Sequence, residues 1–491
     1  MYKHNARQMG FSDERPEMFG NLPLNPDNRW VKLAQLIPWS KVEEIYQQNF
    51  KSTRGQDPLP SRLALGILIV KEKLGMSDRE TVAALRENPY LQYFVGYGEY
   101  SYNVKLDPSM LTHFRKRFPA DVIAQTNAWI VDRMIHPEQD EDDDDPSRGA
   151  GGTGTGQKVD KEEEKQEPSG TLILDATCAP QDIQFPTDVR LLSEARELLE
   201  GMQDTLQEGR SEKKPRNYRE RAARDYKRFC RNRQPRKGEI RRAVKKQLQY
   251  VERDLRIVEA MQKDSRADLS SLQASYLATI KKLYEQQRQM FDERKHQCEH
   301  RIVSLHQPHV RPIVRGKVRA GTEFGAKLTA SVVNGYCQIE RLSWEAYNES
   351  EDLEGAVEAY EARYGHYPER VLADQIFRTR KNLSYCKEHG IHLNGRPLGR
   401  PPKDKALYAE QKRLERSESG ERNAIEGKFG EGKSSYSLGR VMMRRQDTSE
   451  TSIHLTFLVM NLQKILREFF APILLGLFWL KRERKWLPVF C

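Results

Sequence analysis

Apolar residues recur along this chain with two periods, and the change from one to the other marks its organisation. Between residues 30 and 135 they fall at helical spacing, and the runs Leu63 to Val70 and Val82 to Leu85 are apolar enough to pack together in a compact helical unit. Ser77 with Glu80 three residues on reads as a capping box, and Ser109 opens another helix before Leu111, Phe114 and Phe118. Lys73 to Ser77 separates two helices in the manner of a helix-turn-helix, whose second helix would project Arg79 and Arg86. Farther on, Val244, Leu248, Val251, Leu255 and Val258 repeat at spacings of 4, 3, 4 and 3, the signature of a coiled-coil seam. A second stripe follows at Leu272, Tyr276, Ile280, Leu283 and Met290, with Asp264 to Asp268 as a turn between them, so a helical hairpin is expected.

Elsewhere the rhythm is that of strands. Leu172 to Leu174 is a short apolar run, Phe324 to Val333 alternates, and Asn334-Gly335 is a strong hairpin turn into Tyr336 to Ile339. These two strands are expected to pair beside the one that ends in Asp175. Glu354 to Tyr364 reads as helix, Arg370 to Ala373 as the next strand and Ile391 to Leu393 as another.

Length and charge narrow the picture. With 491 residues the chain can hold two or three domains, and 82 Lys and Arg against 71 Asp and Glu, a net +11, favour a polyanionic partner such as nucleic acid. Residues 201–250 alone carry 17 Lys and Arg against 6 Asp and Glu, also a net +11. Glu138 to Gly170 is acidic and then Gly-rich, has little apolar surface to bury, and is expected to be a disordered linker. The six cysteines are scattered without a Cys-x-x-Cys pair, as for reduced thiols in a cytoplasmic protein, and the N-terminus has no secretory character. The longest apolar run, Phe469 to Leu480, holds twelve residues against the roughly 20 that a bilayer span needs, so a buried helix is the better reading.

Three carboxylates carry the candidate chemistry. On a helix Arg422 and Glu426 lie four apart and Lys433 seven beyond, which sets an acid and two cations on one face. Asp175 and Asp374 each end an apolar run, and the three acids are separated by 199 and 52 residues. Converging at strand ends, they would offer hard oxygen ligands to a divalent cation pair such as Mg²⁺, which keeps positions for water and substrate phosphate. Asp182 and Asp188, the nearest substitutes for Asp175, lie in a Pro-flanked irregular segment. His296, Cys298 and His300, with His306 and His309, have a helical His pair that could bind zinc, but without a second cysteine pair or an HExxH glutamate they more readily end the inserted hairpin.

The segments Leu174 to Thr177, Ala373-Asp374 with Asn382 beyond, and Arg422 to Phe429 resemble the three acidic motifs of bacterial insertion-sequence DDE transposases. Leu74 to Glu80 and Tyr93 to Gly96 resemble the InsH-type N-terminal domain that precedes the catalytic domain in that group. The resemblance implies an α/β fold class: a ribonuclease H-like mixed sheet with flanking helices, a long helical-hairpin insertion, and a separate N-terminal all-α domain. It divides the chain into an N-terminal helical domain (1–135), the linker (136–170), a catalytic domain (171–470) interrupted by the basic insertion (190–300), and a tail (471–491).

The resemblance further implies metal-dependent DNA strand cleavage and strand transfer, with Asp175, Asp374 and Glu426 as catalytic residues and ligands of two Mg²⁺ or Mn²⁺ ions. Arg422, Lys433, Lys428 and Arg440 would meet DNA near the site, and Arg79, Arg86, Arg241, Arg242, Lys245 and Lys246 farther from it. The implied partners are double-stranded DNA, as terminal inverted repeats and target, and a second copy of the chain in the synaptic complex, in the bacterial cytoplasm with no membrane. A nuclease that cuts without joining and an inactive DNA-binding relic are the alternatives. One branch of the family has a Tyr three residues before the Arg; here it is Ser419, which leaves that branch's hairpin intermediate open.

Overall fold

The computed structural model describes residues 19–20, 22–48, 50, 58–135, 167–208, 213–264, 268–314, 321–396 and 404–484, the side chains of 264 and 470–484 excepted. Most of the expected linker, the Ser265 to Ala267 part of the expected turn and the end of the chain lie outside the described residues.

Seven helices come first: α1 Arg29–Leu36, α2 Trp39–Gln47, α3 Ser61–Leu74, α4 Asp78–Glu87, α5 Pro89–Phe94, α6 Met110–Arg117 and α7 Ala120–Ile135. Local chemistry sets their ends. Asn28 caps α1, Ser77 and Glu80 form the capping box of α4, and Asn88 caps α5 ahead of Pro89 at its first turn. Between α3 and α4 the backbone turns through Gly75 at φ +63°, a left-handed conformation that glycine adopts without a Cβ clash.

A six-stranded mixed sheet follows. Its strands are β1 Thr171–Pro180, β2 Arg311–Val314, β3 Thr322–Val333, β4 Tyr336–Ser343, β5 Arg370–Ala373 and β6 His392–Leu393. The order is β2-β3-β1-β5-β6, with β4 also paired to β3. β3 is antiparallel to β1, β2 and β4, whereas β1, β5 and β6 run parallel. The β3–β4 hairpin turns on Asn334 and Gly335, both at positive φ, as expected of that dipeptide.

Between β1 and β2 stand α8 Asp188–Gln207, α9 Arg219–Arg231, α10 Lys237–Asp264 and α11 Ser271–Glu293. The seam Val244, Leu248, Val251, Leu255 and Val258 is buried, but α8 is the main partner that covers it. The expected hairpin is therefore corrected to a four-helix insertion, because Leu192, Leu199 and Leu206 of α8 supply the facing stripe. In the second stripe Leu272 is 61% exposed, so the packing of α11 begins farther along the helix.

The remaining helices are α12 Asp352–Tyr364, α13 Arg380–Glu388, α14 Lys405–Ser435 and α15 Gln446–Arg484. α15 amends the expectation of a separate N-terminal domain. Its Leu455, Leu458, Val459, Leu462 and Ile465 belong to the same core as α1 to α7, while its Ile453, Phe457 and Met460 enter the core beneath the sheet. Two buried polar groups lock this junction. Glu72 of α3 accepts from the N–H (3.0 Å) and Oγ (2.5 Å) of Ser437, just after α14, and from Thr456 Oγ1 of α15 (2.6 Å). Asn461 of α15 accepts from Cys337 N (2.9 Å) and donates to Cys337 O (2.8 Å) and Asn127 Oδ1 (2.9 Å). Among the described residues no helix is long and apolar enough to cross a membrane.

Candidate active site

Strand register brings the first two acids together. The last parallel partners of β1 and β5 are Leu174 and Ala373, so Asp175 and Asp374 are the next residue on each chain. β1 continues past Asp175 to Pro180 because β3 goes on pairing with it, whereas β5 stops. Asp374 then caps a short 3₁₀ turn, Gln375–Phe377, accepting from Gln375 N at 2.7 Å. Buried Asn382 braces that turn by donating to Phe377 O (2.8 Å) and to Ser350 O (2.7 Å).

The third acid arrives on α14, which is pinned to the sheet by buried Ile425 and Phe429. Glu426 and Arg422 stand one turn apart on this helix. The Arg422 guanidinium lies 3.7 Å from Asp374 Oδ1 and 3.4 Å from Glu426 Oε1, linking the acids of β5 and α14. Asp175, Asp374, Glu426, Arg422 and Lys433 all line one cavity of about 740 Å³. Glu349 and Lys327 line it as well.

Asp175 is the most shielded of the three acids. Burial pushes its carboxyl up to about 6; the Ala176 N–H and then Arg422 oppose the rise, and Asp374 and Glu349 add to it. Asp374 and Glu426 have more than half of their side chains exposed. Among the described residues no three His, Cys, Asp or Glu form a ready-made metal-binding group. The donor set itself is all carboxylate and suits a hard divalent cation; as folded, Arg422 balances two of the acids.

Other expected residues stand elsewhere. Lys428 lies 3.8 Å from Glu431, which in turn pairs with Arg467 of α15, and Arg440 pairs with Asp182 at 2.5 Å. Asp188 accepts from Arg301 and Gln287 within the insertion, so neither Asp182 nor Asp188 lines the cavity. Arg79 is exposed on α4, whereas Arg86 donates to the carbonyls of Val104 and Leu106. On α10, Arg241 covers the Phe291 ring at 4.1 Å, Arg242 donates to Gly238 O, Lys246 pairs with Asp225, and Lys245 is exposed. The histidines have separate uses: His300 meets Glu345, His306 meets Glu194, and His309 packs on Trp344.

Sequence reasoning missed Lys327 and Glu349. A Lys inside an otherwise apolar alternating strand was the available signal for the first. Glu349 was hidden in the acidic run Glu349-Ser350-Glu351-Asp352, any member of which could have been solvated.

Two families match this chain. Residues 371–463 match the transposase DDE domain, a stretch that takes in Asp374, Arg422, Glu426 and Lys433 but not Asp175, and residues 21–117 match the transposase domain DUF772. A Rhizobium meliloti protein, "Uncharacterized protein ORF8 in nfe locus", is 33% identical over 94 residues, 19% of this chain. The matched part spans 45% of that relative's length. No solved structure matches.

Proposed function

From transposase-family sequence in both its N-terminal helices and its α14 region, we infer that this chain is an insertion-sequence transposase that binds the ends of its element and cleaves and joins DNA in the cavity between β1, β5 and α14. The observation that carries this reading is the register that sets Asp175 beside Asp374, faced by Glu426 across Arg422. The element order supports a ribonuclease H-like fold interrupted by the four-helix insertion: acid-bearing strand, antiparallel hairpin, helix, acid-bearing strand, short strand, Glu-bearing helix. In this reading residues 171–470 form the catalytic domain and the helices of 1–135 an N-terminal DNA-contacting domain, and the complex that acts on the two ends is a homodimer.

Asp175, Asp374 and Glu426 would hold two Mg²⁺ or Mn²⁺ ions, whose chemistry when bound is to acidify an attacking water or 3′-hydroxyl and to stabilise the leaving 3′-oxygen. The protein's own part is position and charge. Arg422 and Lys433 present cations from one face of α14 to the non-bridging oxygens of a phosphate in the cavity, and such contacts orient DNA without reading its sequence. In-line displacement forms a new P–O bond to the nucleophile as the bond to the 3′-oxygen breaks. Arg79 on α4 and the exposed cations of α10 would add sequence-independent affinity.

The test is incubation of the full chain with a duplex copied from the DNA immediately flanking its coding region, together with a target plasmid. Cut and joined products are expected with Mg²⁺ or Mn²⁺ and none in EDTA. Products that persist in EDTA would overturn the reading, and cutting without joining would reduce it to a nuclease.

A further inference from the structure

The cavity contains an ion pair that the three-acid reading does not use. Lys327 lies on β3, where its partner on β1 is Cys178, three residues past Asp175. Its side chain is only 13% exposed, yet it lines the cavity together with Asp175. The ammonium is held at 2.8 Å from Glu349 Oε1 and at 2.8 Å from Tyr347 O, and it sits 4.7 Å from the centre of the Tyr347 ring. An ammonium has three N–H donors, so the two acceptors that Lys327 meets among the described residues leave one for a group inside the cavity. Glu349 is also close enough for its charge to act on Asp175.

Two features argue against a simple structural brace. Taking a lysine and a carboxylate largely out of water costs side-chain entropy and desolvation, which their mutual attraction does not fully return. The cavity also takes four carboxylates, Asp175, Asp374, Glu426 and Glu349, from separate elements, and any anion entering it needs cations to offset them. Of the cations, Arg422 and Lys433 come from α14, and Lys327 comes from the sheet.

The sheet order separates these sources. Because the strands run β3, β1, β5, Lys327 and the Asp374–Arg422 pair flank Asp175 from opposite sides. The strands β3 and β5 stand two spacings apart, about 10 Å, so Lys327 approaches a DNA strand in the cavity from a different side than Arg422 of α14, as contact with a neighbouring phosphate requires.

We propose that Lys327 binds the DNA phosphate next to the one that reacts, on the β3 side of Asp175, with Glu349 and Tyr347 O holding its ammonium in place. The proposal rests on the DNA-cleaving reading above. Lys327 lies outside the stretches that match transposase families, so it is assigned from the geometry of this chain.

The experiment measures binding of the full chain to a labelled duplex copied from the flanking DNA, over a series of salt concentrations. Each phosphate contact that is lost should lower the slope of log K against log salt by about 0.9. Lys327→Gln should show that loss and Lys327→Arg should keep the wild-type slope. The double variant Lys327→Gln/Glu349→Gln, which leaves no uncompensated carboxylate, should show the same loss as the single variant and so guards against misfolding. A wild-type slope in both Gln variants would overturn the proposal and leave Lys327 as a brace. The outcomes are separable: salt-dependent binding that loses its slope in Lys327→Gln, in a protein that cuts nothing, would sink the cleavage reading and retain the phosphate contact, whereas no binding by wild type would sink both.

Discussion

The helices of the N-terminal region and those of the insertion both announce themselves by the spacing of their apolar residues, yet they are used in opposite ways. In α3 every residue from Ser61 to Val70 is buried, and so is Glu72. In α10 one seam is buried while Arg241, Arg242, Lys245 and Lys246 face outward. A helix buried all round must be central to something larger, whereas one with a single apolar stripe can end a structure and leave its other face in water. Accordingly α3 is joined through α15 to the core of the sheet, and α8 to α11 keep a core of their own. Amphipathic spacing tells which face of a helix is covered; it does not tell what covers it.

The strongest way to break this contrast is at the junction. Asn461→Leu strands the Cys337 N–H and the Asn127 side chain, all buried, and at about 1–3 kcal/mol for each unsatisfied group the loss should be on the order of 4 kcal/mol. Urea unfolding should show the N-terminal helices and the sheet melting together at lower denaturant. Two separate transitions in the wild-type protein would mean that the regions are independent after all.

A smaller effect is expected inside the insertion. Asp254 is fully buried on α10, and among the described residues neither carboxylate oxygen has a hydrogen bond of good geometry. Burial pushes its carboxyl up to about 7, with Glu200 adding to the rise and Gln203, Arg196 and Arg253 opposing it. An acid whose folded-state pKa exceeds its unfolded value near 4 binds its proton more tightly when folded. Its contribution is therefore fully present below about pH 4 and is lost as the pH rises to about 7, by roughly 2–4 kcal/mol. Hydrogen exchange of the α8 and α10 amides in the full chain should quicken over that window beyond its intrinsic pH dependence, and Asp254→Asn should remove the excess. The same excess in the variant would contradict the assignment, and α3 amides should show none.

The smallest effect on the fold belongs to the outer face of α10. Replacing Arg241, Arg242, Lys245 and Lys246 with Gln should leave the circular dichroism spectrum intact and flatten the salt dependence of binding to any duplex. Because Arg241 is engaged with Phe291 and Lys246 with Asp225, the slope should fall by about two rather than four counterions. An unchanged slope would make the insertion a brace whose charge serves solubility.

Much of the sheet was legible because its signals are local: an Asn-Gly turn, an alternating strand, and acids that end apolar runs. The neighbourhood of Asp175 and Asp374 follows from the same runs, since β1 and β5 stop pairing with each other one residue before the acids. What could not be read depends on contacts between distant segments. The length of β1 beyond Asp175 is set by β3, the seam of α10 is covered by α8, and α15 serves two cores at once. Lys428 and Arg440 share the basic stretch around Glu426, but Lys428 pairs within α14 with Glu431, which Arg467 of α15 also holds, and Arg440 turns to Asp182 just beyond β1, so neither lines the cavity. Lys327 enters the site only because β3 lies beside β1.

Asp175, outside the family-matched stretches, lines one cavity with Asp374 and Glu426, and the proposed chemistry needs all three. The most direct test is the rate of strand cleavage by Asp175→Asn, with the flanking duplex and Mg²⁺, in protein shown to bind that duplex as wild type does. A fall of at least about a hundredfold is expected, equivalent to about 2.7 kcal/mol of barrier. Cleavage within a few-fold of the wild-type rate would contradict it.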